Sequence, residues 1–299
     1  MKIEKSSPDL QAEVIFAGLC MHCGACGAYC SHIEYDETGR PVNVDACNEV
    51  VGLCYNSCPR AYLDLHEQDE RTFGKVRENE LLGVVLKVLE VKGAKPEEII
   101  AALVKGALSA GQVEVFVMPS EGSKKPANNV PVLVKDGADA AKHAPSRGNQ
   151  AVGPLIPGIQ AAHLQGAKKI GFVGNPCHFQ AIKRQARSNF ATPSDKVALG
   201  IALMCAAGGL DSCKMCVDYA GEFADVSIGP NGVVLVRSEA GLAALEASGL
   251  KFSEGTAAKV EESSAKKKAR NLFNQLGSRK ATVGYLRLSA EELKRLVSL

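Results

Sequence analysis

The chain has 299 residues and 11 cysteines, and the first four cysteines constrain its beginning most tightly: Cys20-x2-Cys23-x2-Cys26-x3-Cys30. At this spacing three thiolates wrap one iron–sulfur cube, and the fourth of the run reaches a different cube. Gly24 and Gly27 let the backbone bend between the ligands and turn amides toward the sulfides. A second run, Cys47-x6-Cys54-x3-Cys58-Pro59, follows the turn at Gly39-Arg40-Pro41. The crossing rule assigns Cys20, Cys23, Cys26 and Cys58 to a first 4Fe–4S cluster and leaves Cys30, Cys47 and Cys54 for a second. That second set is one ligand short, because Val51 stands where a further cysteine is expected. A three-iron cluster, a substitute ligand such as His32, Asp45 or water, and no second cluster at all are the alternatives. Zinc also takes four thiolates, commonly from two separated CxxC pairs. Four cysteines so close together, followed by three more ending in Cys-Pro, fit zinc poorly.

Composition narrows the classes further. With 46% hydrophobic and 23% charged residues the chain reads as an ordinary globular protein, long enough for one large domain or two modest ones. A net charge of +2 and the absence of Trp argue against a nucleic-acid partner. Met1 to Asp9 is polar and does not read as a secretory leader. The longest apolar stretch, Val197 to Leu210, falls short of the roughly 20 residues that span a bilayer. A cytoplasmic location, no integral membrane segment, and cysteines serving metal or redox chemistry rather than disulfides are the expectations.

The texture of the chain suggests two units: a cysteine-rich, loop-rich, ferredoxin-like unit over 1–70 and an α/β body over 71–299. Asp64 to Glu80 reads as a charged connector. Helices are expected over 81–91, 96–110, 156–168, 177–187, 239–248, 257–276 and 289–299. Strands are expected over 113–118, 130–135, 169–174 and 197–204, with a polar loop at 120–129. Strands over 225–228 and 233–237 read as a hairpin around Gly229-Pro230-Asn231-Gly232. The βαβ rhythm in the middle implies a mixed sheet in an α/β layer, followed by C-terminal helices.

The second cysteine set lies in this body. Gly174-Asn175-Pro176-Cys177 ends one expected strand, Cys205 ends the next, and Cys213-x2-Cys216 follows in a loop. Neighbouring strand ends in an α/β sheet lie close together, and ligands bind there. Four cysteines at such ends can converge on one cube. Two buried structural cysteines beside a redox-active CxxC is the blander alternative.

Three motifs in this region resemble the coenzyme F420 hydrogenase/dehydrogenase beta-subunit family. They are Val173-Gly174-Asn175-Pro176-Cys177-x3-Ala181, the Cys205 strand end, and Cys213-Lys214-Met215-Cys216-x-Asp218-Tyr219-x2-Glu222-x-Ala224-Asp225-Val226-Ser227-x-Gly229. The later Val236-Arg237-Ser238-x2-Gly241 is similar too, and the N-terminal unit looks like an extension that many members carry. The resemblance implies that Cys177, Cys205, Cys213 and Cys216 bind an inner 4Fe–4S cluster beside a flavin (FAD). The flavin would exchange a hydride with coenzyme F420, and the clusters would relay single electrons to a partner subunit. No nickel, molybdenum or tungsten motif occurs, so the partner would be of hydrogenase, formate dehydrogenase or heterodisulfide-reductase type. Pro96-Glu97-Glu98 stands where the family carries Gly-Gly, and Ser146-Arg147-Gly148-Asn149 replaces a Gly-Thr/Ser-Lys-Tyr segment. Arg147, Gly148 and Asn149, with Gly174 and Asn175, are the flavin candidates; a solvated loop is the alternative for the first three.

The remaining features read as bland. Gly171-x2-Gly174 is no dinucleotide fingerprint. His178 is expected on a helix surface, and Lys266-Lys267-Lys268 with Arg270 on a solvated helix face. The leading expectation is an oxidoreductase subunit. Its rivals are an electron relay without a hydride site and a zinc-stabilised interaction protein.

Overall fold

The computed structural model describes residues 4–61, 63–120, 129–186 and 190–277. The N-terminal part has little regular structure. A single turn α1 (Ser7–Leu10) runs into a π-helical turn at Gln11–Ile15. A small hairpin follows, β1 (Ile33–Tyr35) with β2 (Pro41–Asn43), and then α2 (Leu53–Ser57). The presumed connector holds a helix, α3 (Leu65–Phe73). Asp64 caps it by accepting from Glu67 N at 2.9 Å, and Gly74 ends it at φ 70°. Its charges hid an N-cap and a C′ glycine, the two local signals that start and stop a helix.

The body is an eight-stranded mixed sheet, as expected from the βαβ rhythm. Its strands are β3 (Lys87–Glu90), β4 (Val115–Pro119), β5 (Pro131–Val134), β6 (Ile170–Gly174), β7 (Val197–Leu203), β8 (Val226–Ile228), β9 (Val233–Val236) and β10 (Ser253–Glu254). The order is β10-β3-β9-β8-β7-β6-β4-β5. β4, β6, β7 and β8 are parallel neighbours, and the flanking pairs are antiparallel. The helix expected over 81–91 is absent: Lys87–Glu90 is a strand paired with β9. A short apolar run does not distinguish the two periods, and the open edge of β9 decided it. The expected hairpin is present, with Val226 opposite Val236. Its turn needs Gly232, at φ 79°, because a Cβ there would stand 2.1 Å from the Val91 carbonyl.

Alternation along the strands separates two cores. Phe116, Met118, Leu199, Ile201 and Leu203 share a core with α4 (Pro96–Ser109), the single turn α5 (Ala140–His143) and α8 (Glu239–Ala247). Val115, Val117, Ile170, Phe172 and Ala202 face α6 (Pro157–Leu164) and α7 (Pro176–Gln185). The second core also takes in Ala25, Ala28, Leu63 and Leu65, so the N-terminal part and the sheet share buried apolar surface. Polar ties reinforce this contact. Gln185 Nε2 donates to Ala25 O at 2.8 Å, and Arg184 Nε to Asn56 O at 2.7 Å. The long helix α9 (Ala258–Gly277) closes the described chain. The helix expected over 289–299 lies outside the described residues, as do 121–128 of the polar loop and residue 187 of the α7 expectation. Among the described residues no helix is long and apolar enough to cross a membrane.

Candidate functional site

Cys20, Cys23, Cys26 and Cys58 line one cavity, walled by Leu10, Val14 and Ile15 and by Arg60. The loop that presents the first three is shaped by local contacts. Gly24 takes φ 86° and passes so close to Pro154 and Pro157 that a Cβ would stand 2.7 Å from Pro157 Cδ. Tyr35 braces the same turn: its hydroxyl donates to Gly24 O at 2.5 Å and accepts from Gly27 N at 3.0 Å. Cys23 O accepts from Ile156 N at 3.3 Å, which ties the loop to the start of α6. Desolvation pushes the Cys20 and Cys23 thiols up to about 12, and it raises Cys26 and Cys58 as well. Four inward-facing thiols that resist ionisation around an apolar cavity suit a resident metal centre, which takes them as thiolates and replaces the lost hydration.

The three-cysteine set also comes together. Burial drives the Cys54 thiol up to about 12, and Cys30, Cys47 and Cys58 all lie close enough to add to that through charge. His32 and Asp45, the protein candidates for a missing ligand, are bonded to each other, Nδ1 to Oδ1 at 2.5 Å.

The other four cysteines stand at the carboxyl edge of the parallel strands. Cys177 is in the first turn of α7, directly after β6, and Cys205 follows β7. Asn175 and Pro176 start that turn as N-cap and first residue. His178 completes the cap by accepting from Asn175 N through Nδ1 at 3.1 Å, while Nε2 donates to Gly153 O at 3.0 Å. His178 is therefore not on a helix surface. It is buried, and desolvation lowers its pKa to about 4, so it is a neutral brace. Cys213 Sγ accepts from Gly208 N at 3.2 Å. The Cys177 thiol is raised by burial first and then by the charges of Cys216, Cys23, Cys205 and Cys213. Cys23 belongs to the N-terminal set, so the two sets adjoin.

Cys216 differs from its neighbours. Burial opposes its thiolate, but the charges of Lys267 and Arg60 outweigh that and pull its pKa below the ordinary value. Arg60, 1% exposed, also acts on Cys20 and Cys58 and so stands between the sets. Among the described residues no group of His, Cys, Asp or Glu closes on a single metal ion. A cube spreads its four thiolates over separate corners, further apart than four ligands of one zinc.

Beside Cys205 a cavity of about 380 Å³ opens at the same sheet edge. Pro96, Arg147, Gly148, Met204, Tyr219 and Gly229 are among its walls. Gly148 lies against the cysteine: a Cβ there would stand 2.7 Å from Cys205 Sγ. Asn175 Nδ2 holds this loop by donating to Gly148 O at 2.7 Å, and the buried Asn175 Oδ1 has no partner among the described residues. Gly174 does not line the cavity; its missing Cβ makes room for Phe172 and His178. The Asn149 side chain lies outside the described residues. Glu98, at the wall's helix start, accepts from Lys95 N at 2.8 Å and so caps its own helix.

Several residues went unread in the sequence. Lys267 and Lys268 are buried, so Lys266 and Arg270 alone keep the solvated role expected of these four. Lys268 meets Glu222 at 2.7 Å, and Glu222 also pairs with Arg77, which Asp69 holds at 2.5 Å. Desolvation opposes ionisation of Glu222, but Lys268 and Arg77 win and hold it at about 2. The acids of the most specific motif are thus braces: Asp225 accepts from Gly200 N at 2.7 Å and Asp218 from Gly221 N at 2.8 Å. Lys267, Asn271, Asn274 and Gln275 share one face of α9 by their spacing of four, three and one. That polar period was the available signal.

Comparison with known proteins follows the same lines. No family model matches the chain. It is 25% identical to the coenzyme F420-dependent sulfite reductase of Methanocaldococcus jannaschii, over 58% of this chain and 26% of that protein. It is also 25% identical to an uncharacterized protein of the same organism, over 69% of this chain and 64% of that one. The chain thus spans about a quarter of the first relative's length and just under two thirds of the second's. In fold it matches a chain of the F420-reducing NiFe hydrogenase complex from Methanosarcina barkeri. The TM-score is 0.56 at 20% identity, over 67% of this chain and 94% of that chain. These matches bear out the resemblance to the coenzyme F420 hydrogenase/dehydrogenase beta-subunit family.

Proposed function

We propose that this chain is an oxidoreductase subunit that carries electrons between a hydride carrier and a partner redox enzyme through a flavin and at least two 4Fe–4S clusters. Cys20, Cys23, Cys26 and Cys58 hold one cluster; Cys177, Cys205, Cys213 and Cys216 hold the inner one; Cys30, Cys47 and Cys54 form an incomplete third set, one cysteine short. The observation that carries the reading is the succession of sites: a ligand-sized cavity walled by Gly148, which packs on Cys205, the sheet-edge cysteines, then Cys23 of the N-terminal set.

The cavity volume falls within the roughly 300–1,000 Å³ usual for small-molecule sites. It lies outside the carboxyl ends of parallel strands, where α/β sheets take their ligands. A bound flavin would supply the step from two-electron hydride chemistry to single electrons. The chain's own part is to bind and orient it. Arg147 offers a cation for a phosphate, and Asn175 fixes the Gly148 backbone against Cys205. Coenzyme F420 is the proposed carrier, on the strength of what the sulfite reductase relative and the hydrogenase complex are named for.

One observation favours the second reading, a relay without a hydride site. Pro96 lines the cavity and the acidic turn after it caps itself, so this helix start offers an anion fewer free amides than a glycine pair would.

The test is anaerobic purification followed by iron, sulfide and flavin determination and an assay of F420 reduction and oxidation. Iron, sulfide and flavin with F420 turnover support the full reading. Flavin without F420 turnover removes the carrier assignment alone. Iron without flavin selects the relay.

A further inference from the structure

Helix α9 lays four polar side chains over the loop that bears the sheet-edge cysteines. Lys267 Nζ donates to Cys205 O at 2.6 Å and to Asp218 O at 2.8 Å. Asn271 Nδ2 donates to Cys213 O at 3.0 Å and to Cys216 O. Asn274 Nδ2 reaches Lys214 O at 2.9 Å, and Gln275 Nε2 reaches Met215 O at 2.7 Å. Three of the four are neutral amides, and amides suffice to satisfy carbonyls. The fourth is an ammonium with 4% exposure, and burying such a charge is costly unless negative charge stands near it.

The nearest carboxylates are already engaged. Glu222 is taken by Lys268 and Arg77. Asp218 accepts from the Gly221 and Glu222 amides and from Gln180 Nε2. Those donors are neutral, so Asp218 still contributes to the charge around Lys267, but Cys216 and Cys205 stand ahead of it, and the same helix face holds the backbone of Cys205, Cys213 and Cys216.

We propose that Lys267 is a positioning residue that sets the potential of the inner cluster. Its fixed positive charge stabilises the more negative, reduced cluster against the oxidised one and so raises the midpoint. This rests on the cluster reading given above. The effect is selective, because Lys267 touches the sheet-edge loop. The N-terminal cluster, with Arg40, Arg60 and Arg184 for neighbouring cations, should not feel its loss.

The experiment is an EPR-monitored redox titration of the full chain, loaded anaerobically, comparing wild type with Lys267→Gln and Lys267→Arg. The inner-cluster signal is the one that Cys213→Ala abolishes. Lys267→Gln keeps a donor for the carbonyls but loses the charge. With iron content unchanged, its reduced-to-oxidised ratio at the wild-type midpoint should fall about tenfold, which is about 59 mV for a one-electron couple. Lys267→Arg should restore the wild-type midpoint, and the N-terminal signal should stay put in both. A merely structural lysine would give loaded Lys267→Gln the wild-type midpoint, or would shift Gln and Arg variants alike; either result overturns the proposal. Should Lys267→Gln not load, Asn274→Lys adds a cation on the exposed part of the same face. It should raise the inner midpoint in low salt, and an unchanged midpoint overturns the proposal. Wild-type protein with an N-terminal cluster but no inner one would overturn the cluster reading itself, and this inference with it.

Discussion

Cys20, Cys23 and Cys26 sit in a stretch with neither helix nor strand, whereas Cys177 and Cys205 sit at the ends of adjacent central strands. Cys20, Cys26, Cys30, Cys54 and Cys58 pack into a small core with Leu10, Val14, Leu19 and Ile33, while Cys23 packs against the second core of the sheet. Of the sheet-edge cysteines, Cys177 and Cys205 follow two central strands, and Cys213 and Cys216 lie in a loop clamped by α9. A metal centre would therefore play different parts in the two places. In the first it would supply much of the order; in the second it would enter a frame that the sheet already holds. Cations differ too, since Lys267 serves the sheet-edge set alone, while Arg60 is shared.

Metal removal tests this contrast with the largest effect. After chelation, amides across residues 19–61 should lose protection toward the frayed-loop limit of about 0 kcal/mol, while those of β4, β6 and β7 keep theirs. Hydrogen exchange reads both at once, and equal loss in the two regions would break the comparison.

Next in size is Glu222→Gln, which strands Lys268 in the interior and leaves Arg77 to Asp69 alone. Breaking a buried ion pair in this way should cost about 3–5 kcal/mol, read as a lower denaturation midpoint. The pH dependence has a definite sign. Glu222 is held at about 2 in the folded chain, against roughly 4.3 for an unperturbed Glu. Its contribution of about 3 kcal/mol is whole above the ordinary carboxylate range and is lost as pH falls from there through about 2. Wild-type stability should slope over that window, and Glu222→Gln should flatten the slope.

A smaller effect separates the clamp from the frame. Asn271→Ala removes the side-chain donor of Cys216 O and Cys213 O, of which Cys213 O keeps the Cys216 amide, and should cost about 1–3 kcal/mol. Iron retention should drop at the sheet-edge set and hold at the N-terminal one. Smallest is Lys266→Ala. Lys266 is exposed beside Glu262, one residue from Lys267, and its loss should leave stability and iron content unchanged.

The grouping of the cysteines was legible because spacing is a local property. Cys20-x2-Cys23-x2-Cys26 says how many thiols one short loop can aim inward, and four cysteines do face one cavity. The strand ends at Gly174 and Cys205 were legible from apolar runs bounded by Gly, Asn and Pro. What escaped depends on tertiary placement. Lys87–Glu90 became a strand because β9 offered an edge. Lys267 and Lys268 were taken for a solvated face because a charge run carries no mark of the loop that will cover it. His178 was misplaced for a similar reason: its burial comes from Gly153 and Phe172, neither near it in sequence enough to betray it.

The most direct measurement is iron, acid-labile sulfide and flavin per chain in anaerobically purified protein. The account predicts about eight irons from the two complete cysteine sets, more if the three-cysteine set is filled, matching sulfide, and about one flavin. About one zinc with no sulfide, or about four irons with no flavin, would contradict it.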